Sequence, residues 1–132
     1  MKFKSFSIFL LSLSFVLITG CRGYAVYNVK QAPISTQSES YTLSDVEKAI
    51  IDAGSSLSWR MKKTIPGQII ATINVRRHMA QVEITYNKRN YTIEYKDSEN
   101  LKYKGTSIHG KYNQWIRNLD KRIGSYLAKI GR

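Results

Sequence analysis

What this chain has little of narrows it first. A single cysteine, Cys21, excludes an internal disulfide framework, and two histidines, His78 and His109, leave no room for a site of several Cys and His ligands. Two prolines and eight glycines exclude a collagen-like or broadly disordered composition. Acidic residues are scarce, nine against 21 lysines and arginines, for a formal charge of +12. No apolar run reaches the roughly 20 residues that a bilayer-spanning helix needs. There are no internal repeats, and 132 residues fit one small domain rather than two.

The apolar run that is present lies at the N-terminus. Lys2 and Lys4 give it a positive start, Phe6 to Ile18 are apolar apart from serines, and Thr19-Gly20-Cys21 closes it with small residues and a thiol. That is the three-part build of a secretory signal peptide, residues 1–20, and polar sequence follows with no stop-transfer pattern. Leu17-Ile18-Thr19-Gly20-Cys21 resembles the lipobox of bacterial lipoproteins: an aliphatic residue, two small residues, then cysteine. The resemblance implies cleavage before Cys21, a thioether-linked diacylglycerol on its sulfur and acylation of the new amine. It thus implies attachment to a membrane through lipid, with no other cofactor. Arg22, not an aspartate, follows the cysteine. By the sorting rule of enteric lipoproteins this implies the outer membrane, facing the periplasm of the bacterial cell envelope. One acyl chain holds a protein only marginally, whereas two or three hold it stably.

Cleavage would remove Lys2 and Lys4 and no acid, leaving a formal +10. It would also remove all four phenylalanines, so the mature aromatics are nine tyrosines with Trp59 and Trp115. Residues 21–41 read as a lipidated N-terminus followed by a flexible tether. Ala32 to Ser40 is Ser-rich and lacks periodicity. About 20 flexible residues reach on the order of 25 Å, enough to lift a domain clear of lipid headgroups. Tyr24, Tyr27 and Val29 alternate loosely, as residues touching the membrane or the domain would.

Residues 42–132 read as an α+β globular domain. Ser44-Asp45-Val46-Glu47 has the form of a capping box, and Val46, Ala49, Ile50, Ala53 and Leu57 keep the spacing of one buried helical stripe, ending near Gly54. Four alternating runs follow, around Trp59–Ile65, Ile69–Val75, Ala80–Tyr86 and Tyr91–Tyr95. Pro66-Gly67 and Asn87–Asn90 join two of the pairs. They predict a four-stranded antiparallel meander. An aperiodic segment, Asp97–Ile108, then leads to a C-terminal helix whose apolar face runs from Tyr112 to Ile130, with Ser107 as its cap and Gly131 as its end. Both helices are expected on one face of the sheet.

Candidate sites are few. The open sheet face should carry Arg60, Lys62, Thr72, Asn74, Gln81, Glu83, Thr92 and Glu94 among others, and every strand aromatic falls in phase with the aliphatic set. The base-stacking platform of RNA-binding sheets is therefore missing, which speaks against nucleic acid as partner. Lys111, Arg117, Lys121, Arg122 and Lys129 lie on the outer side of the last helix, where they could meet anionic lipid or an anionic envelope polymer or simply face water. Leu101 and Tyr103 in the 97–108 segment either cover the core or bind a partner. Ser107, His109 and Asp97 could supply a hydrolytic triad, but no Gly-x-Ser-x-Gly elbow accompanies them. A metal site on His78 and His109 has no supporting spacing. Trp59, Tyr95, Ser98, Leu101, Tyr103, His109, Tyr112, Asn113, Trp115 and Ile116 together resemble the pattern of small proteobacterial lipoproteins, a resemblance that implies no activity. The sequence thus points to a noncatalytic, membrane-anchored binding or accessory protein of the envelope. A polyanion-binding module (lipopolysaccharide, cell-wall polymer or DNA) is the first alternative and a small hydrolase the second.

Overall fold

In the computed structural model, residues 23–132 are described; the signal peptide expected at 1–20 and the lipidation expected at Cys21 lie outside them. The described chain runs β1 (Tyr24–Ala25), β2 (Val29–Pro33), α1 (Leu43–Ser56), β3 (Arg60–Lys63), β4 (Gln68–Val75), β5 (His78–Tyr86), β6 (Asn90–Glu99), β7 (Ser107–Ile108) and α2 (Gly110–Leu127). The architecture is α+β: a five-stranded antiparallel sheet in the order β2-β6-β5-β4-β3, two helices, and a small ladder of β1 with β7.

Alternation decides which face of the sheet is buried. Ile69, Ala71 and Ile73 on β4 pair with Ile84, Val82 and Ala80 on β5, and all six are buried. Tyr86 and Tyr91 are cross-strand partners and so share that face. The Tyr86 hydroxyl donates to Glu47 of α1, and the Tyr91 hydroxyl donates to Asp120 Oδ1 of α2 at 2.6 Å. Both helices therefore cover the same side of the sheet, α1 through Val46, Ile50 and Ala53, and α2 through Tyr112, Ile116, Leu119 and Ile123. Burying a side chain of the Ile or Leu class contributes about 1.5–3 kcal/mol, so this one layer dominates the stability.

The four-stranded meander is corrected to five strands. The added strand, β2, comes from the segment expected to be a tether. Val29 is buried opposite Ile93, Ala32 pairs with Tyr91, and the Ile34 amide donates to the Arg89 carbonyl at 2.8 Å. Side chains complete the docking: Asn28 Oδ1 accepts from the Tyr95 amide at 3.0 Å, and Thr92 Oγ1 accepts from the Gln31 amide at 3.0 Å. Upstream, buried Asn113 of α2 accepts from the Tyr27 amide at 2.9 Å and donates to the Ala25 carbonyl at 2.8 Å. An edge strand held by amides and one inward valine leaves little hydrophobic period to read.

Four boundary expectations also shift. The cap of α1 is Thr42, whose hydroxyl accepts from the Asp45 amide at 3.2 Å while Asp45 accepts from the Thr42 amide at 2.8 Å. These Thr42 contacts, the backbone amide first, hold the Asp45 carboxyl below its ordinary range. Gly54 lies inside α1, buried, where a Cβ would run into the Met61 side chain; its bareness lets β3 pack close beneath the helix. At the other end, β6 continues to Glu99 past a bulge at Lys96, and His109, not Ser107, caps α2 by accepting from the Lys111 amide at 3.1 Å. Pro66-Gly67 makes the turn its sequence asks for: the Gln68 amide donates to the Ile65 carbonyl at 3.0 Å and Gly67 has φ +81°. No helix among the described residues is long and apolar enough to cross a membrane.

Candidate functional site

The loop from Asn100 to Thr106 is pinned at both ends. Leu101 is 1% exposed, and its carbonyl accepts from the His109 amide at 2.8 Å. Asn100 donates through Nδ2 to the Arg77 carbonyl at 2.6 Å, and its own carbonyl accepts from His78 Nδ1 at 2.8 Å. The Lys104 amide donates to the Ser107 carbonyl, and the Val26 amide to the Thr106 carbonyl. Asn100 and Lys102 take left-handed φ of 57° and 53°. Such backbone costs a non-glycine residue roughly 1–2 kcal/mol and persists only where its surroundings fix it. With the loop held this way, Leu101 plugs the core while Lys102, Tyr103 and Lys104 are turned to the outside.

A cleft of about 1130 Å³ opens where this loop, β1 and the start of α2 meet. Its cations are Lys102, Lys104 and Lys111; its aromatic walls are Tyr24 and Tyr103, 67% and 42% exposed, with His109 beside them. Gly23, Ser107 and Gly110 complete the lining. Gly110 matters here because a Cβ would sit 3.0 Å from two Tyr24 ring carbons, so only a bare residue lets that ring lie against the first turn of α2. No acidic residue lines the cleft. The ion pairs found among the described residues, Lys48–Asp52 and Lys63–Glu47, use none of its three lysines.

Tyrosines support the cleft from below. Tyr103 stacks on Tyr95 with ring centroids 4.0 Å apart, and Tyr112 meets Tyr95 edge-on at 5.6 Å. Tyr95 shares a 2.7 Å hydrogen bond with Ser98 Oγ. Burial raises the phenol pKa of Tyr95 and Tyr112, and the Tyr112 hydroxyl is buried without a hydrogen-bond partner. The stack fixes the tilt of Tyr103, whose ring edge is left to solvent.

The basic residues expected to act from the last helix separate. Lys111 joins the cleft. Arg117 sits over the Tyr27 ring at 4.5 Å, Arg122 donates to Ser56 Oγ at 3.0 Å, and Lys129 lies over Tyr126 at 5.0 Å. Lys121 is exposed. Lys111 and Arg122 are about 16 Å apart along α2 at 1.5 Å per residue, and Lys129 lies beyond its end, so the five do not form one patch. Leu101 is core and not available to a partner, whereas Tyr103 is available. Lys102 and Lys104 were missed by sequence reasoning, and Tyr24, expected to touch the membrane or the domain, was not connected with Tyr103. The signal was there, since Lys102-Tyr103-Lys104 sets an aromatic between two cations.

The hydrolytic arrangement does not assemble. His109 Nδ1 accepts a backbone amide as the helix cap, so it does not donate to an orienting carboxylate, and Asp97 Oδ1 accepts from the Ser98 amide instead. His78 and His109 do come together, with ring centroids 6.4 Å apart and Trp115 beside His78. Among the described residues, however, no group of three His, Cys, Asp or Glu side chains gathers to hold a metal. On the open sheet face Gln81 Nε2 donates to Thr72 Oγ1 at 3.1 Å, Thr72 is buried beneath its neighbours, and no strand aromatic surfaces there. No protein family, curated protein or solved structure matches this chain.

Proposed function

We propose that this protein is a noncatalytic lipoprotein of the bacterial envelope, held in the outer membrane by lipid on Cys21 and facing the periplasm, where its domain serves as a binding or accessory module. The lipobox Leu17–Cys21 supports the anchor, and one structural observation supports the binding role: three lysines without counterions and two exposed tyrosines converge on one cleft. Charges gathered in this way repel one another and add nothing to folding, so a ligand of opposite sign is what they suit. A general polyanion-binding role draws on the same lysines. It differs in predicting a log affinity that falls steeply with log salt for any polymer of phosphates. The hydrolase reading has no such support, because His109 is spent on the helix cap.

Mass spectrometry of the mature N-terminal peptide tests the anchor. A peptide beginning at Cys21 and carrying two or three acyl chains is expected; one beginning elsewhere, or an unmodified thiol, would end this reading. Crosslinking in the native envelope tests the accessory role. Capture of one dominant protein is the expected result, and capture of none would overturn that role.

A further inference from the structure

A lipid anchor and a domain 25 Å away on a tether are two independent objects, but the described chain leaves no such tether. Tyr24 and Ala25 are paired with Ile108 and Ser107, and Asn113 grips the Ala25 carbonyl and the Tyr27 amide. Gly23, two residues after Cys21, already lines the cleft. Two residues span at most about 7 Å. The polar layer on each side of a bilayer is about 5–8 Å thick. The cleft is thereby confined to the depth of the headgroups.

We propose that this cleft docks on the phosphates of anionic phospholipid headgroups in the leaflet that holds the Cys21 lipid, fixing the domain in one orientation on the membrane. The proposal rests on the lipid-anchored reading and adds its ligand. Three features match that surface. Lys102, Lys104 and Lys111 supply positive charge with no acid among the cleft's lining residues. Lysine ammonium groups on long apolar stems reach phosphates while the stems stay among the upper acyl carbons. Tyr24 and Tyr103, two of the four exposed large hydrophobic side chains among the described residues, border the same cleft, and tyrosine favours the membrane–water interface. Strand β6 runs from the Asn87–Arg89 turn to Glu99, so docking at the 100–106 loop points that turn about 30 Å into the periplasm. The open sheet face is then left clear for a protein partner.

The test uses the lipidated full chain with one reporter. Cys21 is the only cysteine, and a thioether removes its thiol, so Thr106→Cys offers the sole site for an environment-sensitive fluorophore at the cleft; Arg89→Cys does the same at the far turn. Each protein is reconstituted in vesicles of phosphatidylcholine alone and of phosphatidylcholine with phosphatidylglycerol. The position-106 label should shift to the blue only in the anionic vesicles, and the position-89 label in neither. Each lysine changed to glutamine should lower the docked-to-undocked ratio about five-fold. The triple variant Lys102→Gln/Lys104→Gln/Lys111→Gln should therefore lose the shift, and the triple Lys→Arg variant should keep it. A shift that free inorganic phosphate abolishes at unchanged ionic strength would assign the cleft to a soluble phosphate and overturn the proposal. So would a shift of equal size in neutral vesicles, or the absence of one in protein that still floats with them. Failure to float with phosphatidylcholine vesicles would instead show that the anchor itself is missing, and the docking would fall with it.

Discussion

Where the helices meet the sheet, polar groups come in matched sets apart from the Tyr112 hydroxyl, and at the end beside Gly23 they do not. Inside, Glu47 accepts from the Tyr86 hydroxyl and pairs with Lys63 at 2.8 Å, Tyr91 donates to Asp120, and Asn113 uses both ends of its amide. At the Gly23 end, Lys102, Lys104 and Lys111 surround a cleft with no carboxylate in its lining. Matched groups are what a dry layer requires, because an unpaired polar group there costs about 1–3 kcal/mol. Unmatched cations bring mutual repulsion and no packing. The first region explains why the chain folds, and the second is where we propose that it meets a ligand.

Substitutions should separate the two regions by the size of their effect. Ile84→Ala, in the buried layer between the helices and the sheet, should lower unfolding free energy by about 3–4 kcal/mol in a urea titration, through lost burial and the cavity left behind. Asn113→Ala should cost about 2–3 kcal/mol, because the Tyr27 amide and the Ala25 carbonyl both lose their partner. Amide exchange should report the same event locally, as faster exchange at Tyr27.

Glu47→Gln should cost about 1–2 kcal/mol at neutral pH, and its pH dependence has a definite sign. The hydrogen bond from Lys63, and then that from Tyr86, hold the Glu47 carboxyl below the ordinary glutamate range. A depressed carboxyl contributes stability that is present above its unfolded pKa and lost as pH falls through its folded one. The difference between the parent protein and Glu47→Gln should therefore shrink as acid is added below the ordinary glutamate pKa. A constant difference down to the acid transition would contradict the assignment. At the other extreme, Lys102→Gln/Lys104→Gln/Lys111→Gln should leave the unfolding free energy within about 0.5 kcal/mol of the parent or raise it, because these lysines hold nothing together.

The legible part of this molecule was the layer where hydrophobic period and burial coincide. Ile69-Ala71-Ile73 against Ala80-Val82-Ile84, and the stripe of α2, could be read directly from spacing. Strand β2 could not, because only Val29 is fully buried there, with Ala32 half-buried against the core, and its docking is written in Asn28, Thr92 and neighbouring backbone amides. Caps were misplaced by two residues for a related reason. Thr42 and Ser44, or Ser107 and His109, offer similar acceptors, and only tertiary packing chooses between them. The candidate site was half visible. Tyr103 and Lys111 could be singled out, but their meeting with Lys102, Lys104 and Tyr24 depends on the left-handed turn of the loop and the ladder of β1 with β7. The consequence is structural, since the ordering of residues 24–33 turns a supposed spacer into part of the domain and brings Gly23 and Tyr24 to the cleft.

Hydrogen exchange of the lipidated protein in anionic vesicles, compared with the same protein in phosphatidylcholine, tests the central contrast most directly. Added protection should be confined to residues 23–26 and 101–111, with the Tyr86–Tyr91 end of the sheet unchanged. Equal exchange in the two membranes along the whole chain, or added protection centred on the open sheet face, would contradict it.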